Sequence, residues 1–184
     1  MIRRLAVLAS VTAAGCANQT ALLNEFHQTI ASHDSATLAL QEWCGRRGIM
    51  AQPRIRAVAQ ADAGAIPATP AIRAMLGVAA DEAVRVRHVR LTCAGTVLSD
   101  ARNWYVPARL TPDMNRTLDT TNTPFGMVVA PIGLHRQPLP AGTQSPASCP
   151  ADTIRHDTAV LRRNDGAPYS LVSECYTRAN IVAR

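Results

Sequence analysis

The chain contains no lysine. All 19 of its basic residues are arginine. This absence excludes Schiff-base lysines, phosphate-loop lysines and lysine general bases. Aromatic residues make up only 4%, too few for the stacking faces that single-stranded nucleic acid requires. The arginines never run longer than a pair, so a net charge of +6 reads as scattered charge, and no nucleic-acid partner is expected. G-x-S-x-G, H-E-x-x-H, a phosphate loop and G-x-G-x-x-G are all missing, and no cofactor is implied. There is no C-x-x-C, and the five histidines lack ligand spacing, so no metal site is expected.

What is present is a globular chain of 184 residues, 47% hydrophobic and 17% charged. That length suits one domain. Arg3 and Arg4 precede a small apolar stretch, Leu5 to Thr12, and Ala13-Ala14-Gly15-Cys16 follows. Positive start, short apolar core and small residues are the order of a secretory signal. The stretch is too short to span a bilayer, which takes about 20 residues. Residues 1–16 are therefore expected to be a cleaved signal, with Cys16 as a lipidation site and residues 17–184 as one domain. The periplasm or a lipid anchor in the membrane is the expected location, and the cytoplasm is the alternative. Cys44, Cys93, Cys149 and Cys175 remain. Four cysteines allow three pairings, among which the sequence does not choose.

Leu22, Leu23, Phe26 and Ile30 recur at helical spacing, predicting a helix over Thr20 to Ser32. Asp34 or Ser35 can cap a second helix. Its inner face is Ala36, Ala39, Leu40 and Trp43, and Gly48 is its stop. Arg54 to Ala59 alternates as a strand, and Ala61 to Pro70 reads as a loop. Val84 to Cys93 alternates strongly, with Arg87, Val89 and Leu91 on one face. Ala94-Gly95 turns the chain into a strand over Thr96 to Val106. Thr111 and Pro112 open a short helix. Met127 to Leu134 reads as a buried strand, and Gln137 to Pro150 as a loop. Thr153 to Arg163 and Ala167 to Arg178 form a hairpin around Asn164-Asp165-Gly166. The expected class is α+β: two helices, then a meander of about six antiparallel strands with one inserted helix.

The order of four segments carries a further reading. These are Arg87 to Gly95 (R-H-V-R-L-T-C-A-G), Ala101-Arg102 through Val106-Pro107, Thr123-Pro124-Phe125-Gly126, and Tyr169 to Tyr176 (Y-S-L-V-S-E-C-Y). In this order they resemble the chorismate lyase family, over about Val84 to Arg178. The resemblance implies an antiparallel sheet flanked by helices, with a ligand enclosed under helical flaps. It implies release of pyruvate from chorismate to leave 4-hydroxybenzoate, without metal or organic cofactor. It assigns the ring carboxylate to Arg87 and the ether and ring hydroxyl to Glu174. Phe125 and Trp43 take the flap positions, and Arg102 is a candidate for the second carboxylate. The expected partner is thus a small aromatic carboxylate, bound by a monomer. The alternative is an exported, non-catalytic protein that binds such a carboxylate on the same fold. A third reading is a structural lipoprotein with a degenerate pocket.

Overall fold

The structure, a computed structural model, describes residues 11–61, 66–140, 143 and 145–182, with side chains from residue 18 onward. The first helix, α1, runs Val11–Ala31, longer than its apolar spacing predicted. The expected signal segment falls on residues 1–10, outside the described residues, and on the first turns of α1. Among the described residues no helix is long and apolar enough to cross a membrane.

Helix α2, Ala36–Arg46, starts where Ser35 accepts a hydrogen bond from the Leu38 amide, which satisfies one orphan N–H of the first turn. It buries Ala36, Ala39, Leu40 and Trp43, the face that its sequence periodicity marks. Strand β1 is Ile55–Ala59, β2 is Arg85–Cys93 and β3 is Thr96–Tyr105. Ala94 and Gly95 both adopt positive φ, +47° and +80°, the geometry a two-residue turn needs to match strand twist. Helix α4, Pro112–Thr120, is capped by Thr111, as expected. The final hairpin is β5, Thr153–Arg162, and β6, Pro168–Thr177.

Four expectations are corrected. Pro70–Leu76 is a helix, α3, which begins at the last residue of the stretch read as loop and fills a segment given no element. Thr69 caps it, Pro70 opens it, and Gly77 ends it at φ +57°, all conventional helix punctuation. The apolar run Met127 to Leu134 is not a strand. Phe125–Val128 is a short helix, α5, followed by a 3-10 turn at Ala130–Ile132. Pro131 has no N–H for a ladder, and Gly133 takes φ +71°, so the run cannot stay extended. A short strand, β4, His135–Pro138, reaches into what was read as loop.

The fourth correction concerns topology. The sheet order is β1-β2-β3-β6-β5-β4, antiparallel throughout. It is no simple meander: the last strand lies in the middle, between β3 and β5. Strand alternation then sorts the side chains. Cross-strand register puts Val89, Ala101, Glu174 and Asp157 in one row, and Arg87, Asn103, Val172 and Ala159 in the next, on one face. Helices α1 and α2 pack one apolar cluster there, around Phe26, Leu40, Trp43 and Tyr176. A second cluster, with Tyr105, Phe125, Leu161 and Val172, joins α4 and α5 to the same face. The opposite face carries Trp104, Val160 and Leu171 against Ile72 and Leu76 of α3. The α+β class and the six-stranded sheet flanked by helices are as expected.

Two disulfides settle the pairing. Cys44–Cys93 joins α2 to the end of β2, and Cys149–Cys175 clips the long loop onto β6.

Candidate functional site

Between the two apolar clusters, on the face shared by α1, α2 and α5, lies a cavity of about 390 Å³. Its floor is sheet: Val89 and Leu91 from β2, Ala101 and Asn103 from β3, Val172 and Glu174 from β6. Its roof is the α1–α2 turn, the first turn of α2 (Ser35 to Leu38), and the stretch from Phe125 to Leu134. Roof and wall meet closely at Gly126, where an added Cβ would lie 2.7 Å from Ser35 Oγ and 3.3 Å from Thr37 Oγ1. A wider depression, about 770 Å³, runs beside Arg54, Arg56 and Thr120 to Pro124. It is a surface groove with no buried polar pair, so the smaller cavity is the better ligand site.

The polar centre of the cavity is an ion pair. Arg136 extends from edge strand β4 across the face to donate to Glu174 Oε2. The two side chains are only 12% and 8% exposed. Burial works to lower the Arg136 pKa, but the charge and hydrogen bond of Glu174 outweigh it, and the guanidinium is held more firmly protonated than usual. Tyr176, fully buried, donates to the same Glu174 oxygen at 3.4 Å. Burial first, and the Glu174 carboxylate second, push its hydroxyl well above the usual tyrosine range, so it stays a neutral donor. The Arg136 amide donates to Asp34 Oδ1 at 3.3 Å, which ties β4 to the roof.

Asn103 is the other polar group of the floor. Its carbonyl oxygen accepts from Ser170 Oγ, and its Nδ2 is buried without a hydrogen-bond partner. Such an orphan donor is uncommon in native interiors.

The structure brings together some of the expected site residues and separates others. Glu174, Phe125 and Arg102 are among the residues that line the cavity. The register sets Arg102 opposite His88 and Ser173, on the sheet's other face, so its side chain is directed away from the cavity. Arg87 shares the floor's face, across from Asn103, but stands outside the lining. Burial lowers its pKa, with Tyr105 and Asp119 partly offsetting this. Trp43 is not a flap residue. It is 1% exposed in the α1–α2 core, edge-on to Phe26, and its indole N–H donates to the Asn180 carbonyl at 3.1 Å. Cys16 lies in α1, and its side chain is outside the described residues.

Arg136 escaped sequence reasoning because it belongs to a four-residue edge strand that ends in Pro138, in a stretch whose proline content points to loop. Asn103 escaped because one polar residue on an alternating strand gives no sign of which face meets a cavity.

Comparison with known proteins places this geometry. No protein-family model matches the chain. The effector domain of PhnF from Mycobacterium smegmatis superposes with a TM-score of 0.53 at 15% identity, over 79% of this chain and 89% of that domain. Full PhnF gives a TM-score of 0.55 at 15% identity, over 82% of this chain and 67% of that protein. These likenesses show the fold, one that such effector domains share with chorismate lyase. In sequence, the uncharacterized protein y4mC of Sinorhizobium fredii is 38% identical over 176 residues, covering 85% of this chain and 74% of that protein. At that level of identity and coverage, the chain belongs to the same family as y4mC.

Proposed function

We propose that the chain is a binding protein for a small, largely apolar organic acid carrying one carboxylate, with aromatic carboxylates as the favoured class. The observation that carries this reading is the Arg136–Glu174 pair, buried in the wall of an otherwise mostly apolar cavity. Arg136 keeps further guanidinium donors for a ligand carboxylate. Glu174 can accept from a ligand hydroxyl. The first turn of α2 adds the positive end of an 11-residue helix to the same wall. A volume near 390 Å³ falls within the range of small-molecule sites. The likeness to an effector domain supports a binding role.

Chorismate turnover is the second reading. Glu174 and Phe125 on the cavity wall favour it, with Glu174 near the breaking ether as proton acceptor or donor. Against it stands charge. Chorismate carries two carboxylates, and Arg136, already shared with Glu174, has spare donors for one. The second carboxylate of a dianion would be buried without compensation.

We also infer that the chain works in an oxidising compartment. Two disulfides, one of them between cysteines fully buried in the core, support this over the cytoplasm, where thiols are kept reduced.

The test is calorimetric titration of the purified chain with 4-hydroxybenzoate, alongside chorismate with product detection. Binding of 4-hydroxybenzoate that weakens at least tenfold in Arg136→Ala, with no pyruvate from chorismate, is the expected result. Pyruvate and 4-hydroxybenzoate in equal amounts, lost in Glu174→Gln, would make the chain a lyase instead.

A further inference from the structure

The sequence offers no metal motif, yet the fold gathers one set of metal-ligating groups on the sheet face away from the cavity. The ligand atoms of Cys149, His156 and Cys175 all lie within 4.8 Å of one another. His156 and Cys175 are directly opposed on β5 and β6, and Cys149 is delivered by the long loop. In this structure the two sulfurs are joined as a disulfide. We propose that, once this disulfide is reduced, Cys149, Cys175 and His156 form a Zn²⁺ site, so that one loop-to-sheet clip is held covalently when oxidised and by metal when reduced.

The chemistry suits the residues. Zn²⁺ takes thiolate and imidazole ligands in a tetrahedron, and a Cys₂His set leaves a fourth position for water. The histidine is already oriented. Its Nε2 is hydrogen-bonded to Ser173 Oγ at 2.9 Å and to Ser145 Oγ at 3.1 Å, which leaves Nδ1 as the ligand nitrogen. Metal-bound histidines are ordinarily steadied in this way through their second nitrogen. His156 is exposed and Cys149 half-buried, so an ion can reach them from solvent.

The steps balance. A dithiol reductant delivers two electrons and two protons to the Cys149–Cys175 bond and is itself oxidised to a disulfide. The two thiols then release two protons as Zn²⁺ binds their thiolates. The other disulfide does not compete for the ion. Cys44 and Cys93 are both 0% exposed, and no histidine or carboxylate joins them in such a cluster among the described residues.

The experiment uses the full chain reduced with a phosphine, which does not compete for zinc, and titrates it with Zn²⁺ against a chromogenic chelator. Cobalt substitution gives a second readout through its thiolate charge-transfer band. The expected result is one ion per reduced chain and none per oxidised chain. Affinity should fall at least tenfold in His156→Ala and be lost in Cys149→Ser, while the Cys44→Ser, Cys93→Ser double variant binds as the parent does. His156 is a surface residue, so its replacement leaves the fold alone. A chain that merely unfolds on reduction would bind zinc through its thiols regardless of His156. Zinc binding that is indifferent to His156→Ala, or no binding to the reduced chain, overturns the proposal.

Discussion

Arg136 and Glu174 are joined across two strand spacings, from β4 at the edge of the sheet to β6 at its centre. Their backbones are about 10 Å apart in the pairing direction. The pair thus staples the edge of the sheet to its middle while it furnishes the cavity with its polar centre. Removing one partner strands the other charge in a buried site, which costs about 3–5 kcal/mol. Arg136→Ala or Glu174→Ala is therefore expected to lower Tm by roughly 10 °C. The double replacement Arg136→Met, Glu174→Leu should cost less than either single one, because no charge is left unpaired. Thermal unfolding of the three variants checks this, and single variants that melt with the parent would contradict the buried pair.

The contact of α5 with α2 can be probed at Gly126. An alanine there would place its Cβ 2.7 Å from Ser35 Oγ, and overpacking of this kind costs about 1–3 kcal/mol. Ser35→Ala alone loses the α2 cap, about 1 kcal/mol. In the double variant the clash is relieved, so the combined cost should fall short of the sum. A denaturant-derived double-mutant cycle with strictly additive terms would mean that the two residues are not in contact.

The two disulfides close loops of different length, with sequence separations of 49 and 26 residues. On chain entropy they contribute about 4 and about 3.5 kcal/mol respectively. Cys44→Ala with Cys93→Ala should destabilise at least as much as Cys149→Ala with Cys175→Ala. Its pair also sits in the main core, where both half-cystines are fully buried. Urea midpoints at equal m-values decide it, and the reverse order would mean that strain, not loop closure, sets the ranking.

His27 gives the chain a pH response. Burial first, and the Arg155 cation second, hold its pKa below the usual histidine value, and its Nε2 is buried without a partner. The unfolded chain therefore takes up the proton more readily than the folded one. Stability from the neutral ring is complete above the ordinary value near 6.5 and declines as pH falls through that value toward the folded pKa. Replacing His27 by Gln should flatten the Tm profile between about pH 7 and pH 5. An unchanged slope would assign the acid sensitivity to other groups.

Much of the fold was legible in the residues because the decisive signals were local. The alternation of Val84 to Cys93, the Asn164-Asp165-Gly166 turn and the Ser35 and Thr111 caps each act within a few residues. They recur in the structure with shifts of one or two positions. The errors fell where the decisive fact was not local. Met127 to Leu134 has strand-like composition, and only Pro131 and Gly133 betray that it bends. The central place of β6 depends on which strand it meets, which no pattern within β6 records. At the site, the order of four segments singled out Glu174, and it does line the cavity. Its partner Arg136 is 38 residues away in sequence, on a strand too short to show a period. Trp43 followed helical spacing faithfully, but spacing gives only the inner face of α2, and that face meets the core rather than the ligand space.

The position of β6 also governs the order in which the molecule can be made. Strands β1 to β3 form one antiparallel group and β4 and β5 another, and only residues 168–177 join them. Until residues 168–177 are in place, β3 and β5 each present an open sheet edge. Val172 and Glu174 of the cavity floor, and one half of the loop clip, arrive with that same strand. Completion of the sheet, of the cavity floor and of the Cys149–Cys175 link thus all wait on this one strand, and before it is placed the two open edges are free to pair with other chains.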